Sequence, residues 1–221
     1  MDKREFLKLS GMMGIASLLP VSKMYSRPPF VDTNGGCTIT PTEVPGPFPL
    51  DLSENTTFFR QDVRETQTGV RLNLKLRIMG VEDCAPMQNF RVNIWHCNNV
   101  GLYSGYSQQN NQGQAGLTYL RGYQMTDANG EVDFITIFPG WYNGRICHIH
   151  FQVYIDSQNA AISQLAFDTT AKNAIYAANP TLYPNGADPM TFSTDNIFSD
   201  GYNQHWLLSV QMKKPVDTMR K

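Results

Sequence analysis

The sequence predicts an all-β sandwich with irregular loops and few short helices. Three observations point there. Apolar residues recur at every second position through several runs, the periodicity of a strand buried on one side. The 17 Gly and 13 Pro are scattered rather than clustered, which suits many short strands joined by turns. The tetrapeptide Asp127-Ala128-Asn129-Gly130 is a strong turn signal between two strands.

Taken in order, residues 1–25 read as an export signal. Lys3, Arg4 and Lys8 precede an apolar run from Leu9 to Val21 that Pro20 interrupts. The run is too short and too broken to span a membrane. Lys3-Arg4-Glu5-Phe6-Leu7-Lys8 resembles a twin-arginine signal with Lys3 in place of the first arginine. The protein is therefore expected to be exported, to the periplasm or the exterior. Residues 26–48, rich in Pro, Gly and Thr, read as an irregular arm. Residues 49–221 form one domain.

Within that domain, Val70 to Met79 alternates Leu72, Leu74, Leu76 and Ile78 with Asn73, Lys75 and Arg77. Phe90 to His96, Glu131 to Phe138 and Ile146 to Ile155 behave similarly, and His205 to Met212 closes the chain. Ala160 to Leu165 and Thr170 to Asn179 are the two short helices expected.

Composition narrows the function. With 221 residues the chain holds one sizeable domain and is marginal for two. A net charge of −1 gives no electrostatic case for nucleic acid or an acidic membrane surface. Cys37, Cys84, Cys97 and Cys147 allow up to two disulfides and suit export. Cys84–Cys97 is the least favoured pairing if the segment between them is extended. No CxxC occurs, which argues against a cysteine zinc site.

The most informative stretch runs from Phe138 to Phe151. Tyr142, Arg145, His148 and His150 fall within nine residues, and the chain has only four histidines. Alternation puts His148 and His150 on one face of a strand, about 7 Å apart, where both can grip one metal ion. A His₃ zinc site would need His96 or His205, which otherwise read as structural. Nearby carboxylates are scarce, so a 2-His-1-carboxylate iron site is not signalled. Tyrosine is abundant instead: Tyr142 follows a Pro-Gly turn and Tyr103 follows Gly101. Phenolates are hard anionic ligands that favour ferric iron. Trp95 and Trp141 read as core or pocket wall, and Tyr106 and Tyr123 as half-buried phenols.

Trp95-His96-Cys97-Asn98-Asn99-Val100-Gly101-Leu102-Tyr103-Ser104-Gly105-Tyr106 resembles the first signature of the intradiol ring-cleavage dioxygenases. Leu120 to Phe134, with the block from Pro139 to His150, is similar to the second. Thr40-Pro41-Thr42-Glu43-Val44-Pro45-Gly46-Pro47-Phe48 resembles the family's N-terminal segment, with Pro45 where the family often has Glu. The resemblance runs from about Thr40 to about Gln164.

That resemblance implies the aromatic compound dioxygenase type of β-sandwich and a non-haem Fe(III) held by Tyr103, Tyr142, His148 and His150. It implies cleavage of a catechol or polyphenol by O₂ between the two hydroxylated carbons, giving a muconate-type diacid. Tyr142 would leave the metal and help accept a proton. Arg145 would stabilise negative charge on the substrate, and Gln164 would lie near the oxygen-binding region. Two departures stand out. Only two residues separate Tyr142 from Arg145, the short form that resembles the family's exported, protocatechuate 3,4-dioxygenase-like branch. The N-terminal helical region by which catechol 1,2-dioxygenases dimerise is missing. The competing reading is a non-catalytic transthyretin-like or carbohydrate-binding β-sandwich module, which has no need of both tyrosines and both histidines.

Overall fold

The computed structural model describes residues 11–16, 40, 42–50, 52, 55–80, 83–154, 160–199 and 207–208. In chain order the strands are β1 (Gly11–Ala16), β2 (Arg71–Met79), β3 (Arg91–Trp95), β4 (Arg121–Met125), β5 (Glu131–Ile137), β6 (His148–Tyr154), β7 (Ala160–Phe167) and β8 (Leu207–Leu208). One α-helix, α1 (Thr169–Ala178), follows β7. One sheet runs β1-β2-β5 and the other β4-β3-β6-β7-β8. All pairings are antiparallel except β7 with β8.

The two sheets are held face to face by one apolar cluster. Leu72, Leu74, Leu76 and Ile78 of β2, with Val132 and Phe134 of β5, meet Val92, Ile94, Ile149, Phe151, Val153 and Leu165 from the other sheet. Each such side chain, fully buried, contributes about 1.5–3 kcal/mol. On the outward side of β2, Lys75 pairs with Glu131 at 2.7 Å and Asp133 at 3.6 Å, as cross-strand neighbours of opposite charge should. The α1 helix starts where Asp168 caps the N–H of Ala171 at 2.9 Å.

Three expectations meet the structure with different outcomes. Ala160 to Leu165 is not a helix: it forms most of β7, paired with β6 from Ala160↔Tyr154 to Ala166↔His148. The Asp127–Gly130 turn is real, with Asp127 Oδ1 accepting from Asn129 N and Glu131 N, each at 2.8 Å. It stands between two strands, β4 and β5, as expected, and carries the chain from one sheet to the other. The third concerns the cysteines. Cys84 is disulfide-bonded, whereas Cys97 and Cys147 are buried free thiols, so at most one bridge can form. Cys37, His205 and the rest of the C-terminal strand expected around Leu207 lie outside the described residues, as do most of residues 1–25 and of the arm to residue 39. Within residues 1–25, β1 lies along β2, Gly11 opposite Met79.

Candidate metal centre

The site grows from the outward face of β6. Ile149, Phe151 and Val153 point into the core, so His148 and His150 must point the other way. They do not reach solvent: they are 2% and 1% exposed. Loops and the N-terminal arm cover them. Trp95 of β3 stands opposite His150 in register, and the two rings stack at 4.8 Å and 2°. Gln164 of β7 stands opposite His150 on the other side. A row of three side chains, Trp95, His150 and Gln164, therefore crosses three strands.

Two loops bring the tyrosines. Asn111 clamps the backbone of Tyr103, accepting from its N–H at 2.7 Å and donating to its C=O at 2.9 Å. Asn98 Oδ1 accepts from Val100 N at 3.1 Å and Leu102 N at 2.9 Å, which folds the turn before Tyr103. This loop packs on the one carrying Tyr142. Gly140 N donates to Asn98 O at 3.0 Å, and a Cβ on Gly140 would stand 2.5 Å from Asn99 O. Only glycine lets the two backbones approach so closely.

The four rings converge. Tyr103 Oη lies 3.2 Å from His148 Nε2, and the two Nε2 atoms lie 3.0 Å apart. Tyr142 packs edge-on to Tyr103 at 5.7 Å and to His148 at 5.8 Å. His148 Nδ1 faces Ile146 O at 2.5 Å. A carbonyl only accepts, so Nδ1 carries the proton and Nε2 presents its lone pair to the site. Burial first, then Arg145, pushes His148 down to about 3. Burial and His148 push His150 well below the usual imidazole range. Both rings are neutral at pH 7. Burial raises Tyr142 to about 12 against the pull of Arg145, and burial also raises Tyr103 well above the usual phenol range.

This donor set fits a hard trivalent cation. His150 Nδ1 has no hydrogen-bond partner, so whichever nitrogen of that ring holds the proton, one polar atom is left unsatisfied. Two imidazole lone pairs 3.0 Å apart repel unless a proton or cation lies between them. A cation there also supplies the charge that draws protons from buried phenols. Among the described residues no group of three or more His, Cys, Asp and Glu side chains could hold a metal; the further oxygen donors beside the two imidazoles are the phenols of Tyr103 and Tyr142.

Arg145 borders the site, its Nη2 donating to Gln164 Oε1 at 2.6 Å and its Nε to Asp195 Oδ2 at 2.9 Å. Gln164 Nε2 donates to Val44 O at 3.1 Å. The arm then crosses the histidines: Gly46, at φ +72, would place a Cβ 3.0 Å from His150 Cε1. Phe48 stacks on Tyr103 at 4.6 Å. Six residues expected at the site, Tyr103, Tyr142, Arg145, His148, His150 and Gln164, therefore lie together. His96 does not join them. It faces the other sheet, its Nε2 2.6 Å from Thr136 Oγ1.

Sequence reasoning missed the supports. Asp195 and Asp188, from the loop after α1, accept from Ile146 N at 2.7 Å and Cys147 N at 2.9 Å, just before β6. Asp188 also pairs with Lys172 of α1, and both side chains are fully buried. Arg121, 1% exposed, donates to Phe48 O at 2.8 Å and Ser104 O at 2.7 Å, tying the arm to the Tyr103 loop. None of these follows a local pattern that could have announced it.

Residues 43–147 match the family model described as Dioxygenase. An intradiol ring-cleavage dioxygenase from Tetranychus urticae superposes with a TM-score of 0.65 at 30% identity, over 74% of this chain and 81% of that one. The chain belongs to the intradiol ring-cleavage dioxygenase family. Its all-β sandwich is the fold of that family. The dioxygenase domain of a carbohydrate-binding fusion from Streptomyces sp. SirexAA-E shares the fold, with a TM-score of 0.51 at 21% identity over 80% of this chain and 90% of that one. Catechol 1,2-dioxygenase of Acinetobacter baylyi is 27% identical over 145 residues, 57% of this chain. The chain spans 45% of the length of that curated relative. The non-catalytic module is not favoured by these likenesses.

Proposed function

We propose that this intradiol family member is a non-haem Fe(III) dioxygenase that opens catecholic rings between the two hydroxylated carbons. Both atoms of O₂ enter the product, a muconate-type diacid. Tyr103, Tyr142, His148 and His150 would hold the iron. The observation that carries this reading is the convergence of two phenol oxygens and two neutral imidazole nitrogens in one buried place.

Iron bound there would supply the Lewis acidity that holds the substrate as a catecholate and opens its ring to O₂. The chain's own residues would do the rest. Tyr142 is half-buried while Tyr103 is enclosed, so Tyr142 is the phenol free to move and to take a catechol proton on its Oη. Arg145 would offer fixed positive charge to the negative charge developing on the substrate. Trp95 and Phe48 would keep His150 and Tyr103 in place and exclude water.

Export of the protein is part of the proposal, by the twin-arginine-like segment of residues 1–25, leaving one domain from residue 49 after the arm. The bonded Cys84 supports it, since disulfides persist in oxidising compartments. Loss of that segment would remove β1 and leave β2 as an edge. Arg71, Lys75 and Arg77 on β2 suit an exposed edge, because charge discourages further strand pairing. Among the described residues no helix is long and apolar enough to cross a membrane.

Oxygen uptake by the iron-loaded protein over catechol, protocatechuate, hydroxyquinol and larger polyphenols tests the activity and names the substrate class. Uptake with at least one, matched by a diacid product, is expected. Full iron loading with no uptake on any of them would end this reading.

A further inference from the structure

We propose that Asp195 is the positioning residue of Arg145, fixing its guanidinium plane beside Tyr142 and His148. The inference rests on the functional reading above for its catalytic consequence, but not for its geometry. Asp195 lies well beyond the stretch of residues 43–147 that matches the family model.

Arg145 needs such a partner. It follows Asn143 and Gly144, both exposed, in a turn where Gly144 has φ +88. A long cationic side chain on such a turn would otherwise extend into water. Two acceptors hold it from two different elements: Gln164 Oε1 on β7 takes Nη2, and Asp195 Oδ2 takes Nε. A planar guanidinium held at two edges has its orientation set. The influence of Arg145 is then felt at Tyr142 and His148, opposing burial at the first and disfavouring protonation at the second.

Asp195 is itself built to be rigid. Its side chain is fully buried. Oδ1 accepts from Ile197 N at 2.9 Å and Phe198 N at 3.2 Å, closing the turn that follows it. Phe198 and Phe192 pack with Ile146 and Ala166, fastening that turn to the strands. Oδ2 accepts from Ile146 N as well as from Arg145, and the carbonyl of the same Ile146 accepts from His148 Nδ1. One carboxylate oxygen thus ties the active-site cation to the residue that orients His148. The Arg145 bond and the Ile146 N–H outweigh burial and hold Asp195 in its charged form.

A double-mutant cycle with a spectroscopic arm tests the proposal. In the iron-loaded protein with catechol, Asp195→Asn should lower kcat by about 30-fold with iron content unchanged. In an Arg145→Ala background the same change should cost no more than about twofold, because the two act as one unit. Equal losses in both backgrounds would overturn the proposal, as would wild-type kcat in Asp195→Asn. The second arm uses the iron-free protein with ¹⁵N-labelled arginine. The Nε–H signal lost in Arg145→Ala should exchange slowly in the wild type and at least about tenfold faster in Asp195→Asn. Fast exchange in the wild type, or no change in the variant, would overturn it. Asp195→Ser, which retains a hydroxyl to cap Ile197, serves if Asp195→Asn does not fold. If the iron-loaded wild type turns over neither catechol nor any other member of the substrate panel above, the functional reading fails and the exchange arm alone decides the role of Asp195; if it turns over another member, the cycle is run on that substrate.

Discussion

On β6, Ile149, Phe151 and Val153 enter an apolar core shared with the opposite sheet, while their neighbours His148 and His150 enter a nest of ring donors. The two faces are buried to similar depth, yet nothing else about them is alike. The inner face is nearly free of polar groups. The outer face has phenols, imidazoles, an amide and a guanidinium, held by hydrogen bonds and ring contacts. A strand's period of two makes this partition possible, because adjacent residues share a backbone but no environment. The inner face stabilises the fold and thereby fixes where the outer face can place its donors. The outer side chains can then be chosen for chemistry.

The comparison can be broken most severely on the outer face. His148→Ala should remove most iron binding and with it turnover, while the unfolding midpoint of the iron-free protein moves little. Iron content per chain and urea melts would check this. Iron bound at full stoichiometry in that variant would mean that His148 is not a ligand.

A change one residue away should do the reverse. Ile149→Ala creates a cavity between the sheets and should cost about 2–5 kcal/mol of stability. The folded fraction should still bind iron. Equilibrium unfolding with iron analysis at low urea measures both, and loss of iron without loss of stability would show the faces to be less separate than described.

The smallest effect sharpens the contrast, because it concerns a histidine on the inner side. His96 lies between the sheets, donating from Nδ1 to Cys97 O at 2.8 Å and meeting Thr136 through Nε2. Burial lowers it to about 4, against about 6.5 in an unfolded chain. The unfolded state therefore binds the extra proton first as pH falls. Stability from this group is complete above about pH 6.5, declines by up to about 1.4 kcal/mol per pH unit towards pH 4, and levels off below. His96→Gln should flatten the iron-free protein's stability profile by that slope in that window. Parallel profiles for the two proteins would show that His96 does not set it.

Much of this was legible in the sequence, for a physical reason. Strands β2, β3, β5 and β6 announce themselves by alternation, and the six site residues by clustering or by spacing within motifs. What was hidden depends on distant partners. Residues 160–165 contain Ala, Gln and Leu, which favour helices, yet seven residue pairs with β6 override that local preference. The turn at Asp127–Gly130 was plain, but a turn does not say which sheet its second strand will join. Asp195, Asp188 and Asn111 sit in irregular polar loops, and only the folded chain shows that they grip Arg145, Cys147 and Tyr103.

The proposed ferric ion would be held by two phenol oxygens and two imidazoles of the outer face. The visible spectrum of the protein reconstituted with Fe(III) tests this most directly. Two phenolate donors predict a broad charge-transfer band and a burgundy colour, lost on reduction or chelation, with the band altered in Tyr103→Phe and in Tyr142→Phe. Iron bound stoichiometrically with no such band, or with a band unaltered in both variants, would contradict the account.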